Sequence, residues 1–271
     1  MKIGVLGKIN KIGTVETTET MEEIVSFLTE SGYETVRFSS HKEIEGVDAV
    51  IVLGGDGAIL HAAVVAAQKG IKIIGINYGT LGFLTEYEKD ERERVKELLS
   101  ALEKGLCRIV KRSILQVSIG EKTFYALNEV AFQRDCGSVT IKTPQILKLN
   151  VRTNEGETLV SGDGVLICTP TGSTAYSMSA GGAILTPEVP VFMLTPICAF
   201  SMRARPIVFS DNETFNVTTV RGKATLLLDG HVVATLGEGA EIRVKKAPFT
   251  ADFPAREQSG FLSKVRNKLN G

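Results

Sequence analysis

Hydrophobic and polar positions follow two patterns along the chain, one typical of β-strands and one of helices, and the first part of the chain contains both. Apolar or alternating runs typical of β-strands take turns with segments whose apolar residues recur at helical spacing. The strand-like runs are residues 2–7, 33–38, 47–53 and 71–76, and the helix-like segments are residues 18–31, 58–69 and 91–103. Gly32 and Gly70 stand where glycines end helices. We therefore predict an α/β domain with a parallel sheet, Rossmann- or flavodoxin-like, over residues 1–105.

After Gly105 the pattern changes to short strands separated by turn-like links. The strand-like runs are residues 109–119, 123–132, 139–141, 146–153, 164–169, 191–195, 207–209, 214–220, 224–228, 232–236 and 241–245. Short strands at this spacing are typical of an antiparallel sandwich. We predict an all-β sandwich over residues 106–248 and a tail over residues 249–271, with residues 264–268 as a solvated helix face.

One strand of the α/β domain leads into a loop of three glycines around one carboxylate, Gly54, Gly55, Asp56 and Gly57. Glycine lets the backbone approach a ligand, and the helix start behind the loop suits phosphate. A carboxylate repels phosphate, so Asp56 is interpreted as a proton acceptor or as a partner for a metal ion on the phosphates. The alternative is an ordinary turn that Asp56 stabilises. The next strand ends in a second glycine-bearing loop, residues 77–84, and we expect both loops to line one crevice.

Two polar features interrupt the β-rich part. Seven hydroxyl side chains occur within residues 169–179, among small residues. A pocket for a polyhydroxylated ligand needs such groups, because polar groups taken from water need hydrogen-bond partners. The alternative is a helix N-cap by Thr171 or Ser173. Asn128 and Glu129 lie in an apolar strand-like run, so at least one is expected to be buried with a partner or to face a pocket, unless both face solvent at a strand end.

Composition limits the class of partner. The chain has 31 basic and 31 acidic residues, which removes the electrostatic case for binding nucleic acid or an anionic membrane. No apolar run reaches transmembrane length. The four cysteines, at positions 107, 136, 168 and 198, show no metal-binding or redox spacing, and reduced thiols in a cytoplasmic protein are expected.

Together the motifs resemble the NAD kinase family. The resemblance is carried by the glycine loop at residues 54–57, the loop at 77–84, Asn128 with Glu129, the Gly-Asp-Gly at 162–164 and, most specifically, the string Thr-Pro-Thr-Gly-Ser-Thr-Ala-Tyr-Ser from residue 169. The glycine loop alone also occurs in diacylglycerol and sphingosine kinases and in phosphofructokinases. The motifs follow the family's order.

The resemblance implies phosphoryl transfer from ATP or polyphosphate to the 2′-hydroxyl of the adenosine ribose of NAD, or of NADH, giving NADP. It also implies a C-terminal tail that returns to the N-terminal domain, a homodimer or homotetramer, and a divalent metal ion, usually magnesium, with no protein ligands specified. Asp56 is the implied proton acceptor. The implied nucleotide-binding residues are Gly54, Gly55, Gly57, His61, Asn128, Glu129, Asp163, Thr171, Thr174, Ala175, Tyr176, Ser177, Met178, Ser179, Cys198 and His231.

The sequence departs from the family pattern at several positions. Ala58 follows the glycine loop where the family often has threonine, and Ser161 replaces a basic residue seen in some members. The family's Asp-Gly-Gln appears as Asp229, Gly230 and His231. These differences leave the choice between NAD and NADH open.

The sequence leaves two other function classes open. A lipid kinase would share the glycine loop, but it would need an apolar cleft or a basic membrane face. A non-catalytic NAD(P) sensor would bind the nucleotide without turnover, and Asp56 would be expendable.

Overall fold

A computed structural model of the chain describes residues 1–9, 15–16, 19–78, 82–135, 146–255 and 260–269. Its backbone divides into two compact units, of which the first is Met1–Lys111 with Phe249–Gly271 and the second is Arg112–Pro248. The strand expected at residues 139–141 lies outside the described residues. No helix among the described residues has both the length and the apolar character needed to cross a membrane.

The first unit contains a parallel sheet with helices, as predicted. In chain order its elements are β1 (Lys2–Leu6), β2 (Lys8–Ile9), β3 (Val15–Glu16), α1 (Glu19–Glu30), β4 (Glu34–Phe38), β5 (Ala49–Leu53), α2 (Asp56–Gln68), β6 (Lys72–Asn77), β7 (Tyr87–Glu88) and α3 (Arg92–Glu103). The main sheet has the order β4-β1-β5-β6-β7, and every neighbouring pair is parallel. β2 and β3 form a separate antiparallel pair.

Helices cover both faces of this sheet, which explains the continuous apolar runs. On one face Ile51 of β5 belongs to a buried cluster with Met21 of α1 and Leu99 of α3. On the other face a Cβ built on Gly75 of β6 would lie 2.4 Å from Cδ1 of Ile59 in α2. Because successive strand residues face opposite sides, a strand covered on both sides has no polar positions to alternate. The predicted α/β class is confirmed.

The helix after the glycine loop begins two residues earlier than predicted. Gly55 is its N-cap and Asp56 its first residue, so Asp56 belongs to the first helical turn rather than to the loop. At the other end Gly70 has a φ of +69°, and the Ile71 N–H donates to the Ala66 carbonyl at 2.9 Å. This is a Schellman ending, and it confirms the predicted glycine stop.

The second unit is a β-sandwich. Its elements are β8 (Arg108–Ile119), β9 (Lys122–Ala126), β10 (Glu129–Arg134), β11 (Leu147–Thr153), β12 (Gly156–Gly162), β13 (Gly164–Cys168), the short helix α4 (Tyr176–Ser179), β14 (Val191–Ile197), β15 (Ile207–Ser210), β16 (Phe215–Arg221), β17 (Ala224–Leu228), β18 (His231–Leu236) and β19 (Glu241–Ala255). The first and last of these strands extend by a few residues into the sequence of the first unit. A last helix, α5 (Phe261–Leu269), belongs to the first unit.

In the described part of the chain this sandwich is built from two six-stranded sheets, with the orders β15-β14-β13-β10-β17-β18 and β12-β11-β16-β19-β8-β9. Phe132 and Phe192 from one sheet share a single buried cluster with Val151 and Phe215 from the other. The predicted sandwich class is confirmed, since one apolar core lies between two antiparallel sheets.

Several strand predictions need correction, and the two-residue strands β2, β3 and β7 of the first unit were not predicted. The run at 123–132 is two strands, because the chain bends between Ala126 and Glu129. β12 was not predicted, since it is an edge strand, paired to β11, whose residues 156–159 are exposed and show no apolar alternation. β19 runs to Ala255, beyond the predicted end at residue 245.

Candidate functional site

The first candidate centre lies at the carboxyl end of β5, where Asp56 opens α2. Its Oδ2 accepts the Phe83 N–H at 2.8 Å, and its Oδ1 accepts the Leu84 N–H at 2.9 Å. The Gly54 N–H donates to the Ile76 carbonyl at 3.0 Å, which holds the two loops side by side. The side chain of Asp56 remains 30% exposed. The carboxylate is therefore fixed in position and still open to solvent on one side.

Gly82 sits against this carboxylate at a distance that excludes any side chain. A Cβ built on Gly82 would lie 2.2 Å from Oδ1 of Asp56 and 2.8 Å from Oγ1 of Thr85. The Thr85 hydroxyl is buried, and it has no hydrogen-bond partner among the described residues. Close approach to a ligand was the expected reason for glycine here, and approach to Asp56 is a second reason that only the structure reveals.

The C-terminal helix α5 brings two lysines to this loop. Nζ of Lys264 donates to the Thr85 carbonyl at 2.7 Å and to Oε2 of Glu86 at 3.0 Å. Nζ of Lys268 lies 3.6 Å from Oδ2 of Asp56 and 4.2 Å from the centre of the Phe83 ring. The helix was predicted, but the expectation of a fully solvated face was wrong, because these two side chains contact the Asp56 loop.

His61 lies on α2, little more than one turn after Asp56. Its ring stacks on the ring of His41, with centroids 5.3 Å apart. Burial lowers the pKa of His41, and the neighbouring His61 and Lys42 lower it further. His61 is thus engaged with a second imidazole.

Metal-binding side chains do not cluster among the described residues of this site. Within the described ranges there is no group of three or more His, Cys, Asp or Glu side chains placed to hold a metal ion. Both oxygens of Asp56 already accept backbone N–H groups.

The second candidate centre, in the sandwich unit, is a turn held by one carboxylate. Oδ2 of Asp229 accepts the Leu127 N–H at 2.8 Å, while Oδ1 accepts the N–H groups of Asn128 at 2.8 Å and Glu129 at 3.1 Å. These bonds bend the chain between β9 and β10. Asn128 therefore precedes the strand instead of lying within it, as the sequence had led us to expect, and both it and Glu129 are buried.

Two polar atoms of this turn are left without a protein partner. Oδ1 of Asn128 and Oε2 of Glu129 are buried and have no hydrogen-bond partner among the described residues. Burial, with the charge of Asp229 beside it, raises the pKa of Glu129 to about 8. Burial also raises the pKa of Asp229, against its three N–H bonds and His231, which lower it. Because Asp229 has three donors and Oε2 of Glu129 has none, the proton resides on Glu129 at neutral pH.

The hydroxyl-rich segment packs directly on this turn. Oγ1 of Thr169 donates to the Leu127 carbonyl at 2.6 Å, and the Thr169 N–H donates to the Asn128 carbonyl at 2.9 Å. A Cβ built on Gly172 would lie 2.1 Å from that same Asn128 oxygen. The segment therefore holds Asn128 from the side opposite Asp229.

Several of its hydroxyls are used inside the protein. Oγ of Ser173 donates to the Pro170 carbonyl at 2.7 Å, and Oγ of Ser177 bonds the Thr195 hydroxyl at 3.0 Å. Ser173 and Ser177 are completely buried. The sequence analysis interpreted these hydroxyls as ligand-binding groups. Their hydrogen-bond partners inside the protein could not be predicted from the sequence.

The outer part of the segment is more accessible. Thr171 is buried and its hydroxyl accepts from Nη1 of Arg112 at 3.3 Å, without forming the N-cap bond that was the alternative. The partly or fully exposed members are Thr174, Ala175, Tyr176, Met178 and Ser179. The Tyr176 hydroxyl bonds Nε2 of Gln133, near the far end of β10 from Glu129. The segment thus runs alongside β10 over about 13 Å.

The other predicted residues divide between the two ends of β10. Asp163 pairs with Arg134 at 3.0 Å, and its N–H donates to the Ile197 carbonyl, next to the exposed Cys198. His231 is exposed at the start of β18, and it acts on Asp229 at the Glu129 end. A ligand that meets all of these residues must be elongated.

The sequence analysis did not identify the role of Asp229. It was noted only as a departure in a motif, and its contacts to residues 127–129 cross about a hundred positions of sequence. A non-glycine residue with a φ of +47°, followed by glycine, is the local feature that distinguishes it.

Comparison with known proteins finds a family match for each of the two units. A family model described as ATP-NAD kinase N-terminal domain matches residues 10–107, and one described as ATP-NAD kinase C-terminal domain matches residues 127–254. NAD kinase of Methanothermobacter thermautotrophicus is 34% identical over 99% of this chain and 96% of its own length. NAD kinase of Carboxydothermus hydrogenoformans is 37% identical over 84% of this chain and 81% of its own length.

Solved structures give the same match. An NAD kinase from Archaeoglobus fulgidus in complex with ATP has a TM-score of 0.78 at 26% identity, over 100% of this chain and 98% of the other. Yeast NADH kinase complexed with NADH has a TM-score of 0.84 at 23% identity, over 99% of this chain and 87% of the other, which supports the fold.

Proposed function

Because the chain belongs to the NAD kinase family, we propose that it transfers the γ-phosphoryl group of ATP to the 2′-hydroxyl of the adenosine ribose of NAD or NADH. It is a phosphotransferase, and its product is the 2′-phosphorylated dinucleotide. In the step, the bond from the γ-phosphorus to its bridging oxygen breaks, and the electron pair leaves on ADP. A new phosphorus–oxygen bond forms to the 2′-oxygen, whose proton is lost.

Asp56 is the proton acceptor in this proposal. Two backbone N–H groups fix its carboxylate, and one side stays open to solvent. Phosphoryl transfer relies on positioning and charge stabilisation, together with one group that orients or deprotonates the acceptor. A carboxylate held at the first turn of a helix, at the carboxyl end of a parallel strand, fits that requirement.

Asn128 and Glu129 bind the dinucleotide in this proposal. The proposal rests on their buried oxygens, which have no hydrogen-bond partner among the described residues. Oδ1 of Asn128 is an acceptor, while the protonated Glu129 is both donor and acceptor. Ribose hydroxyls and base or amide groups are the complementary partners in an NAD molecule. The other nucleotide-binding residues expected from the resemblance stay predictions, and the exposed members of residues 174–179 are the most accessible of them.

Magnesium is carried in on the donor phosphates in this proposal. The described residues offer no three-ligand cluster, which fits a cation held mainly by phosphate oxygens and water. When bound, the cation neutralises charge on the phosphates. ATP is the proposed donor, and polyphosphate the alternative. A cytoplasmic homodimer or homotetramer that binds neither nucleic acid nor membrane is likewise a proposal.

Replacement of Asp56 by asparagine tests the proposed chemistry. Asp56→Asn removes the proton acceptor, so turnover should fall by about 10²- to 10⁴-fold, with KM for NAD within about tenfold of the wild-type value. The assay incubates protein with NAD or NADH, ATP and magnesium, and couples product to an NADP-specific dehydrogenase.

Asp48→Asn is the matched control, because Asp48 precedes the same strand β5 at its other end, where it accepts the Lys2 N–H at 2.7 Å. It should keep near-normal turnover. Near-normal turnover of Asp56→Asn would remove Asp56 from the mechanism. A wild-type protein that binds NAD without turnover would support the sensor alternative, and phosphorylation of a lipid would support the lipid kinase, which the comparisons do not favour.

A further inference from the structure

One face of α5 is directed at the Asp56 loop. Phe261, Lys264 and Lys268 occupy positions i, i+3 and i+7 of this helix, so they share a face. The Phe261 ring lies 6.4 Å from the Phe83 ring, and Lys264 bonds the Thr85 carbonyl. These two contacts anchor the helix, and they place Lys268 one turn further on, beside the carboxylate.

The ammonium of Lys268 is near Asp56 without being committed to it. Its Nζ lies 3.6 Å from Oδ2 of Asp56, longer than a hydrogen bond, and the side chain is 29% exposed. Oδ2 already accepts the Phe83 N–H. An ammonium has three N–H donors, so Lys268 has donors to offer a further oxygen at this position.

The proposed reaction needs positive charge here. A phosphoryl group with three negatively charged oxygens has to come close to the Asp56 carboxylate, and the two repel each other. The sequence from Gly46 to Gln68, which includes the whole glycine loop and α2, contains no lysine or arginine. The backbone N–H groups of Phe83 and Leu84 are used by Asp56 itself. A basic side chain that offsets this repulsion, in addition to a cation bound to the phosphates, therefore has to come from elsewhere in the chain.

We propose that Lys268 is a catalytic residue that binds the oxygens of the transferred phosphoryl group beside Asp56. It forms no covalent bond and releases no proton. Its charge offsets the repulsion between carboxylate and phosphoryl group, and this effect is greatest in the transition state. The inference rests on the proposed function, and it adds the C-terminal helix to the machinery.

The test compares full-length variants of α5 in the NAD phosphorylation assay. Lys268→Met should lower kcat on the order of 10- to 100-fold, since removal of one enclosed charge-stabilising donor costs about 10²- to 10³-fold and this side chain is partly solvated. KM for NAD should change less than threefold. Lys268→Arg should keep kcat within about fivefold, and added ethylammonium should restore part of the activity of Lys268→Ala, whose short side chain leaves room for the added cation.

Arg266→Met is the matched control. It removes the same charge from the same helix, at an exposed position. It should keep the wild-type kcat, and both methionine variants should melt within about 2 °C of the wild-type protein. A kcat loss in Lys268→Ala that alkylammonium relieves cannot arise from a purely structural role.

Three results would overturn the proposal. They are a Lys268→Met kcat equal to or above the wild-type value, an equal loss in Arg266→Met, and a loss that neither arginine nor alkylammonium restores. Wild-type activity in the same assay separates these failures from failure of the proposed function. An inactive wild-type protein would refute the proposed function, and this inference with it.

Discussion

Asp229 offers the sharpest test of how the second centre is built. Its carboxylate accepts three successive N–H groups, those of Leu127, Asn128 and Glu129, at 2.8, 2.8 and 3.1 Å. Asp229→Asn keeps the shape of the side chain but leaves a single oxygen acceptor. With that oxygen on the Asn128 and Glu129 N–H groups, the new NH₂ group faces the Leu127 N–H, donor to donor.

The expected loss of stability in Asp229→Asn follows from the hydrogen bonds that the substitution removes. One hydrogen bond to a charged group is worth about 1.5–3 kcal/mol, and a buried donor without an acceptor costs a similar amount. Loss of the negative charge next to Glu129 offsets part of this, because Asp229 is one of the two causes that raise the pKa of Glu129. We expect a net loss of about 2 kcal/mol, or roughly 4–8 °C in Tm. We also expect the pKa of Glu129 to fall.

The kinetic result separates positioning from general stability. Asp229→Asn should raise KM for NAD roughly tenfold or more with kcat little changed, since the turn presents Asn128 and Glu129 to the ligand. Asp211→Asn is the control: Asp211 is another buried acid of the sandwich, paired with Lys246. It should lose stability while it keeps KM for NAD. An unchanged KM in Asp229→Asn, or an equal rise in both variants, would refute the argument.

Two more substitutions test single contacts. The folded pKa of Glu129, about 8, lies above its ordinary value of 4.5, so the wild-type protein loses stability as pH rises through this window, by about 1.4 kcal/mol per unit. Glu129→Gln has no titrating group at this position, so its stability does not change with pH through this carboxyl group. The Tm of the variant relative to the wild-type protein should therefore increase from pH 5 to pH 8. A difference in Tm that stays constant with pH would contradict the protonation assigned to Glu129. Gly82→Ala places a Cβ 2.2 Å from Oδ1 of Asp56, so kcat should fall about tenfold or more. Gly237→Ala, where a Cβ meets nothing within 4 Å, should leave kcat unchanged, and normal kcat in Gly82→Ala would show that Asp56 tolerates displacement.

The sequence was sufficient for the long elements of the α/β unit because their signals are local, although the two-residue strands β2, β3 and β7 were not predicted. Burial of a strand between two helix layers leaves a continuous apolar run, as in β5, and a helix stop leaves a glycine, as at Gly70. β12 was not predicted because an edge strand is paired on one side only and keeps exposed polar residues. The pattern of hydrophobic and polar positions reflects burial, so it gives little information about an exposed strand.

The candidate residues divide in the same way. Asp56 was found because a lone carboxylate among glycines after an apolar strand is a local signature. The groups that hold or complement it, Gly82 and Lys268, act through contacts that periodicity does not encode. The hydroxyls of Ser173 and Ser177 show the converse, since composition cannot tell a group facing a ligand from one bonded to its own backbone or a neighbour.

In the proposed dinucleotide site, the buried atoms of Asn128 and Glu129 that have no partner among the described residues connect folding with binding. Each buried polar atom without a partner costs about 1–3 kcal/mol. The turn cannot relieve that cost by opening outward, because Asp229 holds its three N–H groups on one side and Thr169 holds the Asn128 carbonyl on the other. A ligand that completes these hydrogen bonds recovers the cost without first ordering the turn. Selectivity then favours molecules that supply both a donor and an acceptor at this spacing, and a ligand lacking one of them leaves the penalty in place.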